Sequence, residues 1–176
     1  MLKKVLIATD GSEAADKAVR IGAQLAAMDA AEVVLVHVLL RGDLSENLRH
    51  MAEIEYEKAE GGKALYDAIA AIPDARFPVA ELVPRGAQTQ DDLLKAVADS
   101  VLSRAEQAVR EQGVETVSRQ IEDGDPARRV VEVAQDTGAD MIVTGARGLS
   151  DLKAAFLGSV SHKISNLSPV TCVNVR

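Results

Sequence analysis

A chain of 176 residues with 47% apolar and 27% charged residues has an ordinary globular composition and is long enough for a sizeable core. Its formal net charge of −7 argues against a nucleic-acid backbone or an anionic membrane as main partner. An aromatic content of 2% leaves little for single-stranded bases to stack on, and the single cysteine, Cys172, rules out an internal disulfide framework and suits a reducing compartment.

The N-terminus carries Lys3 and Lys4 before an apolar run, Val5 to Ala8. That run is shorter than the roughly 7–15 residues of a signal-peptide core. No apolar stretch approaches the ~20 residues of a membrane span. The expectation is a soluble, cytoplasmic protein.

"KVLIATDGS" reads as a short strand, a turn and a capping Ser12. A helix follows to about Met28, with Ala18, Ile21, Leu25 and Met28 on one apolar face. "EVVLVHVLL", Glu32 to Leu40, is a second strand. Its near-continuous apolar character suits a parallel sheet covered on both faces.

A charged, helix-prone stretch and then a proline-bearing one (Pro73, Pro78, Pro84) occupy the middle of the chain. Residues 41–87 exceed what a strand-to-helix connection needs and read as an insertion within one domain spanning 1–176. "TQDDLLKAVADSVLSRAEQAVREQG" is a long amphipathic helix, with Leu93, Leu94, Val97, Val101, Leu102, Ala105 and Val109 at helical spacing and Gly113 closing it.

Strand–helix alternation then resumes. "VETVSRQI" is a strand, and "GDPARRVVEVAQDTG" is a helix with Asp125 as N-cap and Pro126 at its first position. "ADMIVTG" is the fourth strand, "GSVSHKISNLS" a helix and "PVTCVNV" the closing strand. Five strands with intervening helices predict an open, doubly wound α/β fold with a parallel sheet.

Ligands of such folds bind beyond the carboxyl ends of the strands. "ATDGS" and "TGARG" sit at two such ends. Gly145 and Gly148 allow a sharp turn and a close backbone approach, and Gly158-Ser159 opens a helix whose free N–H groups and dipole favour an anion. Ser159 and Ser161 add hydroxyls. Glycines after a strand, or a Gly-Ser helix start, are each common for structural reasons alone; their coincidence at one sheet edge beside Asp10 points to a polyphosphate ligand.

The spacing Gly145-x-x-Gly148, nine residues, Gly158-Ser159 resembles the ATP-binding signature of the universal stress protein family. "VLIATDGSEAADKAV", "VVLVHV", "GDPARRVVEVAQDTGADMIVTGARG" and "SPVTCVNVR" are similar to that family's core segments, and together cover about two thirds of the chain. The likeness is to the branch that keeps this loop, not to the branch that lacks it. The resemblance implies an adenine-nucleotide site: ATP, or ADP or AMP, with Mg²⁺ or Mn²⁺. Asp10, with the backbone at Ala8 and Thr9, would lie near adenine and ribose, and Val38 would offer backbone hydrogen bonds to the adenine edge. Gly145, Arg147 and Gly148 would line the ribose-phosphate side, and Gly158, Ser159, Val160 and Ser161 would bind the phosphates. Asp10 suits a ribose hydroxyl better than a phosphate, which it would repel without a metal. Arg147 keeps two readings, a phosphate contact or a solvated side chain.

Other signals carry less. "GGKA" at Gly61 lacks the Ser/Thr and the preceding strand of a Walker loop. His37, His50 and His162 are not at metal-ligand spacing. His37 reads as core or as a neighbour of the site, His162 as exposed, and Cys172 as a small buried hydrophobe. The acidic run "AEIEYEKAE" reads as a solvated helix face.

The function expected is therefore nucleotide-dependent regulation in a stress response, in a homodimer formed through the C-terminal strand and read by a protein partner. Two alternatives stand beside it: a slow ATP hydrolase on the same fold, and a nucleotide-free dimeric interaction module.

Overall fold

The computed structural model describes residues 1–39, 90–147 and 158–176. Five strands form one parallel sheet: β1 (Lys4–Ala8), β2 (Glu32–Leu39), β3 (Val117–Asp123), β4 (Met141–Gly145) and β5 (Thr171–Val175), in the order β3-β2-β1-β4-β5. Helices α1 (Glu13–Met28) and α2 (Gln90–Glu111) cover one face, and α3 (Pro126–Thr137) and α4 (Ser159–Leu167) the other. This is the doubly wound architecture expected. Residues 41–87, read above as an insertion, lie outside the described residues, as does Leu40.

The apolar runs are buried on both faces because strand side chains alternate. Val5, Ile7, Val33, Leu35 and Val143 pack under α1 and α2, while Leu6, Val34, Val36 and Ile142 pack under α3 and α4. Among the described residues no helix is long and apolar enough to cross a membrane.

Three expectations shift. α1 does not bury the face carrying its larger apolar side chains: Ile21 and Met28 are 39% and 82% exposed. It buries Ala15, Ala18, Val19, Gly22, Ala23 and Ala26 instead. Contact is so close that a Cβ on Gly22 would stand 2.7 Å from Ile7 Cδ1. A helix that near the sheet must present small residues, and the bulkier stripe is turned outward. The third strand begins at Val117, three residues later than expected, because the ladder with its partner β2 starts at Val33–Val117; Val114 is buried in the core ahead of it. Cys172 is half-buried rather than buried, at the edge strand β5.

The caps follow the sequence. Asp125 accepts from Arg128 N at the start of α3, with Pro126 next, and Ser12 accepts from Ala15 N at the start of α1. Gly113, at φ 87°, closes α2.

Candidate functional site

The sheet order reverses at β1, since the chain runs from β1 toward β2 on one side while β4 lies on the other. The carboxyl ends of β1 and β4 are adjacent, with Ala8 opposite Thr144. This is the switch point where open α/β sheets bind ligands.

On the β1 side the chain turns tightly. Thr9 N–H donates to Val36 O at 2.9 Å, Gly11 N–H to Thr9 Oγ1 at 3.3 Å, and Ser12 N–H to Asp10 Oδ1 at 3.0 Å. Asp10 is thus held at the rim of the crevice by the turn that starts α1.

On the β4 side the organising residue is Ala146. Its N–H donates to Val175 O at 2.6 Å, and its carbonyl accepts from Gly158 N–H at 2.6 Å and from Ser161 Oγ at 3.1 Å. One residue therefore straps β5, the end of β4 and the start of α4 together. Nothing in the sequence marks it, because it acts through backbone atoms and its side chain is a buried methyl.

Gly145 has a reason of its own. A Cβ there would lie 2.9 Å from Ala14 C and Ala15 N, so glycine is required for β4 to pass under the first turn of α1. This close approach is to protein backbone and is separate from the approach to a ligand expected from the sequence. Arg147 is exposed, and Gly148 lies outside the described residues.

α4 begins at Gly158, which is buried and supplies no side-chain cap. Ser159 and Val160 are exposed. Ser161 is buried, and its single hydroxyl proton is shared between Gly158 O at 3.0 Å and Ala146 O at 3.1 Å. That hydroxyl serves the strap, so the groups α4 can present to an anion are the N–H groups of its first turn and the Ser159 hydroxyl. Lys163 Nζ binds Asp125 Oδ2 at 2.7 Å, which joins the starts of α4 and α3. Lys163 first, then the Arg128 N–H, hold the Asp125 carboxyl below its usual range.

On the β2 side, Val38 is half-buried and His37 is 9% exposed. His37 Nδ1 lies 2.9 Å from Thr9 O. A carbonyl only accepts, so Nδ1 carries the proton. Burial pushes the imidazole pKa down, outweighing the bond to Thr9 and the charge of Asp10, which push it up. His37 is neutral at pH 7. His162, expected to be exposed, is exposed.

The carboxyl edge thus gathers Ala8, Thr9, Asp10, Val38, Gly145, Arg147, Gly158, Ser159, Val160 and Ser161 at one end of the sheet. Among the described residues, no group of three or more His, Cys, Asp or Glu side chains could hold a metal ion.

The model of the Universal stress protein family matches residues 1–176. Universal stress protein YxiE of Bacillus subtilis is 28% identical over 176 residues, with 100% of both chains covered. The fold is similar to that of a universal stress protein solved in complex with cAMP (TM-score 0.62, 19% identity, covering 99% of this chain and 97% of that one). It is also similar to that of the universal stress protein from Archaeoglobus fulgidus in complex with dAMP (TM-score 0.60, 18% identity, covering 100% and 98%).

Proposed function

The chain belongs to the universal stress protein family, and from that premise we propose that it is an ATP-binding regulatory protein of the nucleotide-binding branch. The observation that carries this reading is the start of α4: a helix N-terminus without a side-chain cap, strapped by Ala146 to the switch point of the sheet. Free N–H groups at a helix start bind phosphate oxygens without a cationic side chain. Adenine is the base to test first, since the two solved relatives named above hold cAMP and dAMP. In this reading Ala8, Thr9 and Asp10 flank adenine and ribose, and Val38 meets the base edge through its backbone. Gly145, Arg147 and Gly148 line the ribose-phosphate side, and the helix start at Gly158 to Ser161 receives the phosphates through the N–H groups of Ser159, Val160 and Ser161 and the Ser159 hydroxyl. An accompanying Mg²⁺ or Mn²⁺ would take ligands from phosphate oxygens and water.

Binding here does not imply turnover. Rapid phosphoryl transfer needs an oriented water and cations that neutralise the charge developing on the transferred group. Hydrolysis far below the ~10 s⁻¹ of a median enzyme is expected. The nucleotide is then a signal, and its occupancy sets the surface that a protein partner reads in the cytoplasm.

The test is the small-molecule content of protein purified without added nucleotide, followed by titration of stripped protein with ATP and single-turnover hydrolysis with saturating Mg²⁺. Bound adenine nucleotide with slow hydrolysis is the expected result. No binding of ATP, ADP or AMP overturns the reading in favour of a nucleotide-free module, and cleavage at several per second overturns it in favour of a hydrolase.

A further inference from the structure

The ladder between β1 and β2 ends at Ala8–Val36. Thr9 N–H still donates to Val36 O, so the backbone groups of Val36 face β1. Because backbone groups alternate sides along a strand, those of Val38 face the same way, into the space beyond the end of β1. In a continued parallel ladder the next bond would run from Val38 N–H to Thr9 O. The Thr9 carbonyl is instead bonded to the His37 ring at 2.9 Å. The ring of the residue before Val38 engages the oxygen that the next rung of the ladder would use.

We propose that His37 is a positioning residue for base recognition: by holding the Thr9 carbonyl with Nδ1–H, it stops the β1–β2 ladder one rung early and keeps Val38 N–H and C=O available to a ligand. This rests on the nucleotide reading above. An adjacent N–H and C=O on one strand edge match a heterocycle that presents an acceptor beside an amino donor, as 6-aminopurines do. A 6-oxopurine presents a protonated ring nitrogen beside a carbonyl and meets the pair with the wrong polarity. His37 can do this from inside the core because its ring is rigid and nine-tenths buried, and its single donor is aimed at one backbone oxygen. A mere core histidine would need only to be satisfied. This one also decides which backbone donor at the crevice stays open.

The experiment has two arms on the full chain. In the first, amide exchange at Val38 is followed in nucleotide-free protein, wild type against His37→Leu, His37→Gln and His37→Asn. Leucine has no donor, and the Gln amide nitrogen reaches toward the ring's Nε2 position, away from Thr9. The Asn amide nitrogen falls where Nδ1 stands. Exchange at Val38 should slow tenfold or more in His37→Leu and His37→Gln as the ladder closes by one rung, and should stay near wild type in His37→Asn. In the second arm, ATP affinity should fall at least tenfold in the first two variants and recover to within about threefold in His37→Asn. Two variants without the native donor guard against one that fails to fold. Unchanged Val38 exchange in both overturns the proposal whatever the nucleotide does. Wild-type affinity in either variant that closes the ladder also overturns it. Failure of wild-type protein to bind ATP is a different result: it removes the nucleotide reading on which the proposal rests.

Discussion

Gly145 and Gly158 look alike in the sequence and differ in what they do. Gly145→Ala would drive a methyl to 2.9 Å from the backbone of α1, so it should cost stability, on the order of 1–3 kcal/mol as for other overpacked sites. A urea titration measures it. Gly158→Asp acts on binding. Aspartate is a better N-cap than glycine by about a few tenths of a kcal/mol, a gain set against the cost of seating a carboxylate at this buried position. Its carboxylate would occupy the helix-start donors and repel phosphate, so ATP affinity should fall tenfold or more, read by calorimetric titration of the same protein. An affinity unchanged in Gly158→Asp would remove the phosphates from α4. His37 gives a pH signature with a definite sign. Its pKa is depressed in the folded state, so the unfolded chain binds the proton more readily. Its contribution is complete above the unfolded value of about 6.5 and declines as pH falls through the window down to the folded value. The slope of unfolding free energy against pH just below 6.5 should therefore be shallower in His37→Leu than in wild type, and equal slopes would count against a buried neutral ring. The glycine spacing and Asp10 could be read directly from the sequence. Ala146 could not, since its three bonds all run through the backbone of a residue whose side chain is a methyl, and the contact at Thr9 O could not because its acceptor is a backbone oxygen.

Elements show the same division between what a sequence displays and what packing decides. The caps of α3 were legible because Asp125 and Pro126 act locally, and the strands because runs such as Val33 to Val36 admit no exposed face. The orientation of α1 was not. Apolar periodicity identifies where the large side chains lie, but a helix lying close over Ile7 and Val143 needs its alanines and Gly22 inward, and Ile21 and Met28 give way. Likewise β3 starts late because its register is set by β2, which begins at Glu32 and pairs Val33 with Val117, so the apolar Val114 goes to the core instead of the ladder. Asp125 has two jobs, capping α3 and holding Lys163 of α4. The ion pair is exposed and worth little, so the cap should dominate. Asp125→Ala should lose about 1 kcal/mol in urea unfolding, and Asp125→Asn, which still caps, should retain most of it. Equal losses in the two variants would mean that the Lys163 contact dominates.

At the scale of the molecule, the sheet has two edges that differ in kind. β3 carries Ser118, Arg119 and Asp123 exposed, a charged edge that discourages further pairing. β5 carries Val173 half-buried and Val175 buried against its own core, so pairing with a second copy would run through backbone and not through those valines. Because Val175 O faces Ala146, the N–H groups of Cys172 and Asn174 face outward. We expect a homodimer through β5, and Cys172→Pro, which deletes one outward N–H and spares the bonds to β4, should shift it toward monomer in sedimentation velocity. A monomeric wild type would rule out this edge as the seam. The central place of β1 has one more consequence, for biogenesis. Its first neighbour, β2, follows at once in the chain, but its second, β4, pairs Met141 with Val5. At a translation rate of 5–20 residues per second, roughly 7–30 s separate the emergence of the two. Throughout that interval this apolar strand has one open flank on the ribosome, so delaying synthesis between β2 and β4 should raise aggregation of the nascent chain until β4 arrives to close it.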